Sequence, residues 1–451
     1  MLLKELKIRN LYEKYDYDVE FNNNITFIYG LNGCGKTTIL NITEAIITGT
    51  IYRLFEFHFS KIELQYINTT DDTIHEIIIK ESENSLTVSF NDKTVEINRL
   101  SNSELEILPE NDYYNVWHSY FSKYEILKEI KATFNHAYLP LNRSNRFDNE
   151  VNFIKLRRKY LYHMPFDDTI SVQDNAILKV EELIKRKYSE ILSSINKYSD
   201  EFRNEILKSL LTIKESNSLS EVLDAITNKR IEVNEVNRIK ESYIKILQQL
   251  NILKEEEEKS YNDFFSVFLN EYNFWKKDHN TGLPTSLASR YTEIHRIKKL
   301  VKIAEKTEQK KNEAYKPIET FIDTINEFIY NKTDYKKIDI NQNGEVFFKT
   351  GEFEEPIRIN SLSSGEKQLV IFFASLIFEI HKNSTGIFIV DEPELSLHLF
   401  WQSIFIEKAL SINKNVQLIF ATHSPEIIGK YRDKMFKLEK KLSQKGNDNY
   451  V

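Results

Sequence analysis

The sequence predicts an α/β fold assembled from the two ends of the chain around a long, mainly helical insertion. Three observations predict it. A glycine-rich loop from Gly30 to Thr37 stands between an apolar run and an amphipathic stretch near the start, and an apolar run ending in Asp391 and Glu392 stands near the other end. Between them, from about residue 150 to 335, apolar residues recur at helical intervals, and no glycine occurs between Gly49 and Gly282. A stretch that long without glycine is built from regular elements and polar turns.

The 451 residues leave room for more than one core. Hydrophobic residues at 41% and charged residues at 29% are the balance of a soluble globular chain. No apolar run approaches the roughly eighteen residues of a membrane span, and the opening MLLKELKIRN lacks a signal-peptide core, so a cytoplasmic chain without a membrane partner is expected. The single cysteine, Cys34, excludes an internal disulfide and a multi-cysteine metal site, and reads as a small packed side chain rather than a reactive thiol. A net charge of −7 gives no global attraction for nucleic acid or an anionic membrane, leaving only a local basic face.

Element by element, LLKELKIRN reads as a strand and NNITFIYG as a second strand running into the glycine-rich loop, with a helix from Lys36 to about Ile47. KIELQYIN, HEIIIKE, SLTVSF and KTVEINRL follow as an antiparallel meander, each short, β-branched and ended by polar residues. An aromatic helical stretch covers residues 111 to 134, and HAYLPL is a short strand before the polar turn NRSNR. Apolar seams then run through Ile177, Val180, Ile184, Tyr188, Ile191, Ile195, Tyr198, Phe202 and Ile206, through Val236, Ile239, Tyr243 and Leu247, and through Ile294, Ile297, Val301, Ile318 and Ile325. Their interruptions, including a break at residues 282 to 284, favour a compact or short-armed bundle over a long coiled coil. Asn343 and Gly344 mark a hairpin turn within KIDINQNGEVFFKT, a further strand falls in EEPIRIN, and the tail KLSQKGNDNYV is expected to fray. The expected division is 1–150 and 336–440 as the two parts of one head, 151–335 as the insertion and 441–451 as a tail.

Three motifs carry chemistry. Gly30-Leu-Asn32-Gly33-Cys34-Gly35-Lys36-Thr37 fits the phosphate-loop pattern in the strand–loop–helix context that pattern needs. Backbone N–H groups of Asn32 to Gly35 would turn toward β- and γ-phosphates at a helix N-terminus, Lys36 would neutralise them, Thr37 would offer its hydroxyl to Mg²⁺, and Thr38 would reach the α-phosphate. The run GIFIVDE reads as a buried parallel strand delivering two acids to its carboxyl edge, Asp391 toward Mg²⁺ through water and Glu392 as general base; alone, it could be an ordinary strand end. Leu362-Ser363-Ser364-Gly365-Glu366 opens an apolar helix, so Ser363 and Gly365 form an anion-binding end; in isolation the same residues read as an N-cap and capping box. His423, in VQLIFATHSP, stands at a strand end facing the phosphates and reads as a γ-phosphate contact.

Together these residues resemble the ABC ATPase superfamily in its non-transporter branch, with Rad50, SMC, RecF and OLD-type ATPases. GLNGCGKTT is similar to the Walker A loop, LSSGEKQ to the ABC signature, IFIVDEPELSLH to the Walker B strand with its D-loop, and ATHSP to the switch-histidine motif. The fold implied is an ABC-type P-loop ATPase head with a meander and a helical insertion, using ATP and Mg²⁺, catalytic through Glu392, His423 and Lys36. Two protomers would sandwich ATP head to tail, with Ser363 and Gly365 completing the partner's site. DEPELSLH, Trp401-Gln402 and ATHSPEII further resemble ATPase subunits of two-gene antiphage systems of the PARIS and Septu types, which implies a phage-derived trigger and an effector nuclease. OLD-type chains continue into a Toprim nuclease domain, whereas this sequence stops at Val451, so the resemblance implies a separately encoded nuclease. The alternative is a DNA repair or recombination ATPase, with Arg157, Arg158, Lys159, Arg296, Lys298, Lys299 and Lys302 as candidate phosphate contacts, which otherwise read as solvated helix faces. A transporter subunit fits poorly with the meander and the insertion. The glutamine loop has no clear match: Gln65 lies in the meander, Asn142 and Arg143 occupy a better location, and Tyr15 or Tyr17 are the aromatic candidates for adenine stacking.

Overall fold

The computed structural model describes residues 1–99, 123–139, 172–211, 232–249, 253–277, 283–330, 335–351, 356–380 and 385–443. The N-terminal elements are β1 (Leu2–Leu11), β2 (Tyr15–Glu20), β3 (Ile25–Tyr29), α1 (Lys36–Ile47), β4 (Lys61–Ile67), β5 (Ile74–Glu81), β6 (Ser85–Phe90), β7 (Lys93–Asn98), α2 (Glu125–Thr133) and β8 (His136–Leu139). Four long helices follow: α3 (Val172–Leu211), α4 (Val233–Gln249), α5 (Glu255–Lys277) and α6 (Thr285–Ile329). The chain then forms β9 (Lys337–Ile340), β10 (Val346–Lys349), β11 (Ile357–Arg358), α7 (Ser364–Phe378), β12 (Gly386–Asp391) and α8 (Leu399–Ile412). It closes with β13 (Val416–Ala421), the single turn α9 (Pro425–Ile428), β14 (Met435–Lys437) and β15 (Lys441–Leu442).

Contacts divide the chain into Met1–Tyr188 with Pro317–Val451, and Ser189–Lys316. In the first unit, a sheet ordered β15-β2-β1-β4-β5-β6-β7 is antiparallel throughout, and a sheet ordered β14-β3-β13-β12-β8 is parallel. A small antiparallel sheet, β11-β10-β9, completes it, with the hairpin turn at Gly344 in the left-handed region at φ 77°. Helix α1 lies between the large sheets: Ile39, Ile42 and Ile46 share one core with Leu6, Ile62, Leu64 and Ile79 of the antiparallel sheet and Ile387, Ile389 and Ile419 of the parallel one. The other face of the parallel sheet is aromatic, with the Phe372 ring of α7 at 5.0 Å from Phe388 and 4.3 Å from Phe405 of α8. With both faces covered, β12 and β13 are buried at every residue, as a parallel sheet requires. The one polar side chain inside β13, Gln417, is satisfied: its Oε1 accepts from Leu3 N and its Nε2 donates to Leu3 O, each at 2.8 Å.

The unit Ser189–Lys316 has its own core of Val236, Ile239, Phe265, Phe268, Leu287, Ile294, Ile297 and Val301, drawn from α4, α5 and α6 at the expected helical spacing. It is narrower than the 151–335 segment read from the sequence. Ile177, Val180, Ile184 and Tyr188 of α3 are buried in the first unit, and Phe321 of α6 packs on Phe378 of α7 at 5.5 Å. Pro317, inside α6, falls where the division does; it lacks the N–H for the helical bond to residue 313.

Two expectations need correction. Strand β2 stands where none is predicted between the first strand and NNITFIYG, because its alternating Tyr/Asp pattern buries only Tyr17 and Val19. The tail does not fray from residue 441: Lys441 and Leu442 pair with Asp16 and Tyr15 of that strand, and Lys441 Nζ donates to Asp18 at 2.9 Å.

Candidate functional site

The register of the parallel sheet lines up three strand ends. Asp391 is beside Ala421, and Ala421 beside Ile28, so the segments after β12, β13 and β3 leave from one carboxyl edge. In open α/β sheets this edge is where ligands bind. Onto it the fold brings the Gly30–Thr38 loop, Asp391, Glu392 and His423.

The loop is held in shape by its own chain. Gly33 and Gly35 sit at φ 78° and 104°, a region that residues with a Cβ adopt only under strain. Tyr17 of β2, only 2% exposed, donates its hydroxyl to Cys34 O at 3.0 Å from beneath the loop. Burial pushes the Tyr17 phenol up to about 12, so it stays protonated and remains a donor. That removes Tyr17 as a stacking platform. Tyr15 is half-buried with Lys440 Nζ 4.7 Å above its ring. Lys36, 6% exposed, folds back to donate to Gly30 O at 3.1 Å and Leu31 O at 3.5 Å. The first turn of α1 contains no acidic residue, so the positive end of the helix is left for an anion.

Asp391 and Glu392 differ in kind. Asp391 is 4% exposed, and neither carboxylate oxygen has a hydrogen-bond partner by distance and angle. Burial pushes its carboxyl up to about 6; the Thr37 hydroxyl and the Lys36 ammonium oppose the shift, and Glu392 and Glu394 add to it. A buried carboxylate without a well-formed hydrogen bond is costly unless a cation or donor completes it. Beside the Thr37 hydroxyl and a phosphate-binding loop, it suits a hard divalent ion that keeps water and phosphate oxygens in its shell. Glu392 holds a left-handed backbone at φ 46°, fixed by its N–H donating to Ala421 O at 2.8 Å. A non-glycine residue there costs on the order of 1–3 kcal/mol, and such strain gathers where a side chain must be aimed.

The loop after β13 exposes His423 beside the glycine-rich loop. A cavity of about 380 Å³ is lined there by Gly30, Leu31, Thr422, His423 and Arg432. Glu394, expected only as part of the D-loop, accepts through its carboxylate from the Thr422 hydroxyl at 2.8 Å and from the His423 backbone N–H at 2.6 Å. No local signal in the sequence pairs a glutamate with a strand end 28 residues away.

Ser363 and Gly365 open α7 on the face of the parallel sheet opposite α1. Ser363 is the N-cap of α7 in a full capping box: Glu366 N donates to its Oγ at 3.4 Å, and Ser363 N donates to Glu366 Oε2 at 3.0 Å. Lys336 Nζ adds a bond to Glu366 at 2.7 Å. Gly365 is buried, and a Cβ there would stand 2.4 Å from Ser396 O. Helix α7 covers the face of the parallel sheet opposite α1, and its first turns meet the segment after β12, where Gln368 Nε2 donates to Pro393 O at 3.1 Å. Gln65 lies inside β4, paired with Glu5 and Glu76. Asn142, Arg143, Arg157, Arg158 and Lys159 lie outside the described residues. Arg296 pairs with Glu293 at 3.1 Å and Lys298 with Glu235, as on a solvated helix face.

The chain matches the family described as AAA ATPase domain over residues 1–428. It is similar to a protein of Vibrio cholerae serotype O1 biovar El Tor named "Retron Vc95 probable ATPase", 21% identical over 97% of this chain and 74% of that one. Shorter similarities link it to "Retron Ec83 probable ATPase" of Escherichia coli, 34% identical over 16% of this chain and 15% of that one. A third relative, the DNA double-strand break repair Rad50 ATPase of Archaeoglobus fulgidus, is 36% identical over 23% of this chain and 10% of that one. Among solved structures, an Smc head domain with an extended coiled coil from Pyrococcus furiosus covers 99% of this chain and 98% of its own, at 13% identity and a TM-score of 0.39. No described helix is long and apolar enough to cross a membrane.

Proposed function

This chain belongs to the AAA ATPase domain family, and on that premise we propose that it is an ATPase of the Rad50/SMC-like ABC class and the ATP-gated sensor and scaffold of an antiphage system, controlling a separately encoded effector nuclease. The observation that carries the reading is the division of the motifs: Gly30–Thr38, Asp391, Glu392 and His423 share one sheet edge, while the Ser363–Gly365 turn opens a helix on the opposite face. A site divided this way supports completion by a second copy, head to tail. The retron-named ATPases, one of them similar across 97% of this chain, support the defence role.

In this reading the Asn32–Gly35 backbone and Lys36 bind the β- and γ-phosphates of ATP, and Thr38 reaches the α-phosphate. Thr37 and Asp391 would hold Mg²⁺, which when bound draws charge from the phosphate oxygens. Glu392 would accept a proton from the attacking water, from a backbone held by its N–H bond to Ala421 O. His423 contacts the γ-phosphate from the β13 side. Ser363 and the N-terminal turn at Gly365 meet the γ-phosphate of the partner copy.

A repair or recombination ATPase is the second reading, favoured by the local similarity to the Rad50 ATPase. The test that separates them is a pull-down of tagged Glu392→Gln protein from its native host with ATP and Mg²⁺. A stoichiometric nuclease supports the defence reading; DNA without a protein partner supports repair.

A further inference from the structure

We infer that Glu394 is a positioning residue: it holds the backbone at Thr422 and His423 so that the His423 imidazole stays at the phosphate loop. The inference rests on the reading of His423 as a γ-phosphate contact.

Both oxygens of Glu394 are spent on one short segment. Oε2 accepts from the Thr422 hydroxyl at 2.8 Å, and Oε1 accepts from the His423 N–H at 2.6 Å. A carboxylate accepting a backbone N–H at that distance makes a charge-assisted bond, among the stronger ones a protein offers. Thr422 is fully buried, so its hydroxyl needs this acceptor, while the His423 imidazole is exposed beside Gly30 and Leu31. The main chain at His423 is therefore gripped and its ring left free for a ligand.

The segment carrying Glu394 is itself anchored. Gln368 Nε2 of α7 donates to Pro393 O at 3.1 Å, and Gln402 Nε2 of α8 donates to Leu397 O at 2.9 Å. Gln402 then accepts from the Ser424 hydroxyl at 2.7 Å, a second tie between the same two segments. Glu394 thus stands on a fixed base, which a positioning group requires. A third carboxylate beside Asp391 and Glu392 is electrostatically adverse, and a neutral side chain would serve a purely structural tie at lower cost.

The test uses the full chain with Mg²⁺, steady-state ATPase kinetics and binding of a fluorescent ATP analogue. Glu394→Ala is expected to lower kcat by about 10- to 100-fold, the scale of a reacting group displaced by about an ångström, with KM and analogue affinity within about threefold. Because the effect runs through His423, the double variant with His423→Ala is expected to be no slower than His423→Ala alone. Glu394→Gln keeps the shape and one acceptor oxygen; it is expected to regain part of the rate and serves if the alanine variant does not fold. Losses that multiply in the double variant, or a wild-type kcat in Glu394→Gln and Glu394→Ala, would overturn the inference. A wild-type kcat in His423→Ala alone would instead remove the reading on which it rests.

Discussion

The edge formed by β3, β12 and β13 and the turn that opens α7 are both anion-binding geometries, but they leave different things undone. At the sheet edge, Asp391 is buried without a well-formed hydrogen bond, Glu392 holds a strained backbone, and the first turn of α1 carries no neutralising acid. At the α7 turn the local groups are satisfied: Ser363 and Glu366 complete a capping box, Lys336 neutralises Glu366, and Gly365 packs against Ser396 O. One region is incomplete until a small ligand arrives. The other is complete in itself. An unsatisfied buried group points to a ligand that enters the chain; a satisfied, exposed helix end points to one held by another molecule.

Substitutions at each end test that contrast. Lys36→Ala should abolish hydrolysis and weaken nucleotide binding by about 10- to 100-fold, the worth of a lost charge-assisted phosphate contact, read by analogue titration. Glu392→Gln should retain nucleotide but slow single-turnover hydrolysis by ~10²-fold or more, as for a lost general base; undiminished hydrolysis in either variant would mean the site lies elsewhere. Ser363→Arg should leave nucleotide binding by the monomer unchanged and remove ATP-dependent dimerisation, followed by light scattering; a normal dimer would erase the distinction between the two regions. Tyr17→Phe, which deletes one prop beneath the loop, should weaken binding by only about 2- to 10-fold, the value of one hydrogen bond. The smallest effect is expected on stability. Asp391→Asn should raise the melting temperature of the metal-free protein by about 1–2 °C while abolishing Mg²⁺-dependent hydrolysis, and a lowered melting temperature would mean the buried carboxylate is no burden.

Much of the first unit was legible because its signals are local. The apolar runs of β12 and β13, the alternation in β4 to β7, and the glycines of the Gly30–Gly35 loop each state their structure within a few residues. Lys36 to Ile47 forms the helix that the loop pattern requires, and Asn343-Gly344 forms its hairpin. What stayed hidden depends on distant partners. Strand β2 alternates tyrosine with aspartate, and its pairing with Lys441 and Leu442 joins residues at opposite ends of the chain. Tyr17 reads as a candidate stacking ring because nothing nearby in the sequence reveals that its hydroxyl meets Cys34 O. Glu394 and Gln402 were readable as motif letters, but their hydrogen bonds to Thr422, His423 and Ser424 exist only once two strands are parallel neighbours.

The strand order of the parallel sheet also sets a timetable for synthesis. β3 leaves the ribosome early, yet its two neighbours, β13 and β14, are the stretches Val416–Ala421 and Met435–Lys437. The antiparallel meander can pair hairpin by hairpin as it emerges, whereas ITFIY must wait with both edges bare through the translation of all four long helices. An apolar strand with unpaired edges is a template for wrong partners. The nascent chain therefore passes its greatest hazard after the phosphate loop has been made and before any strand exists to hold it.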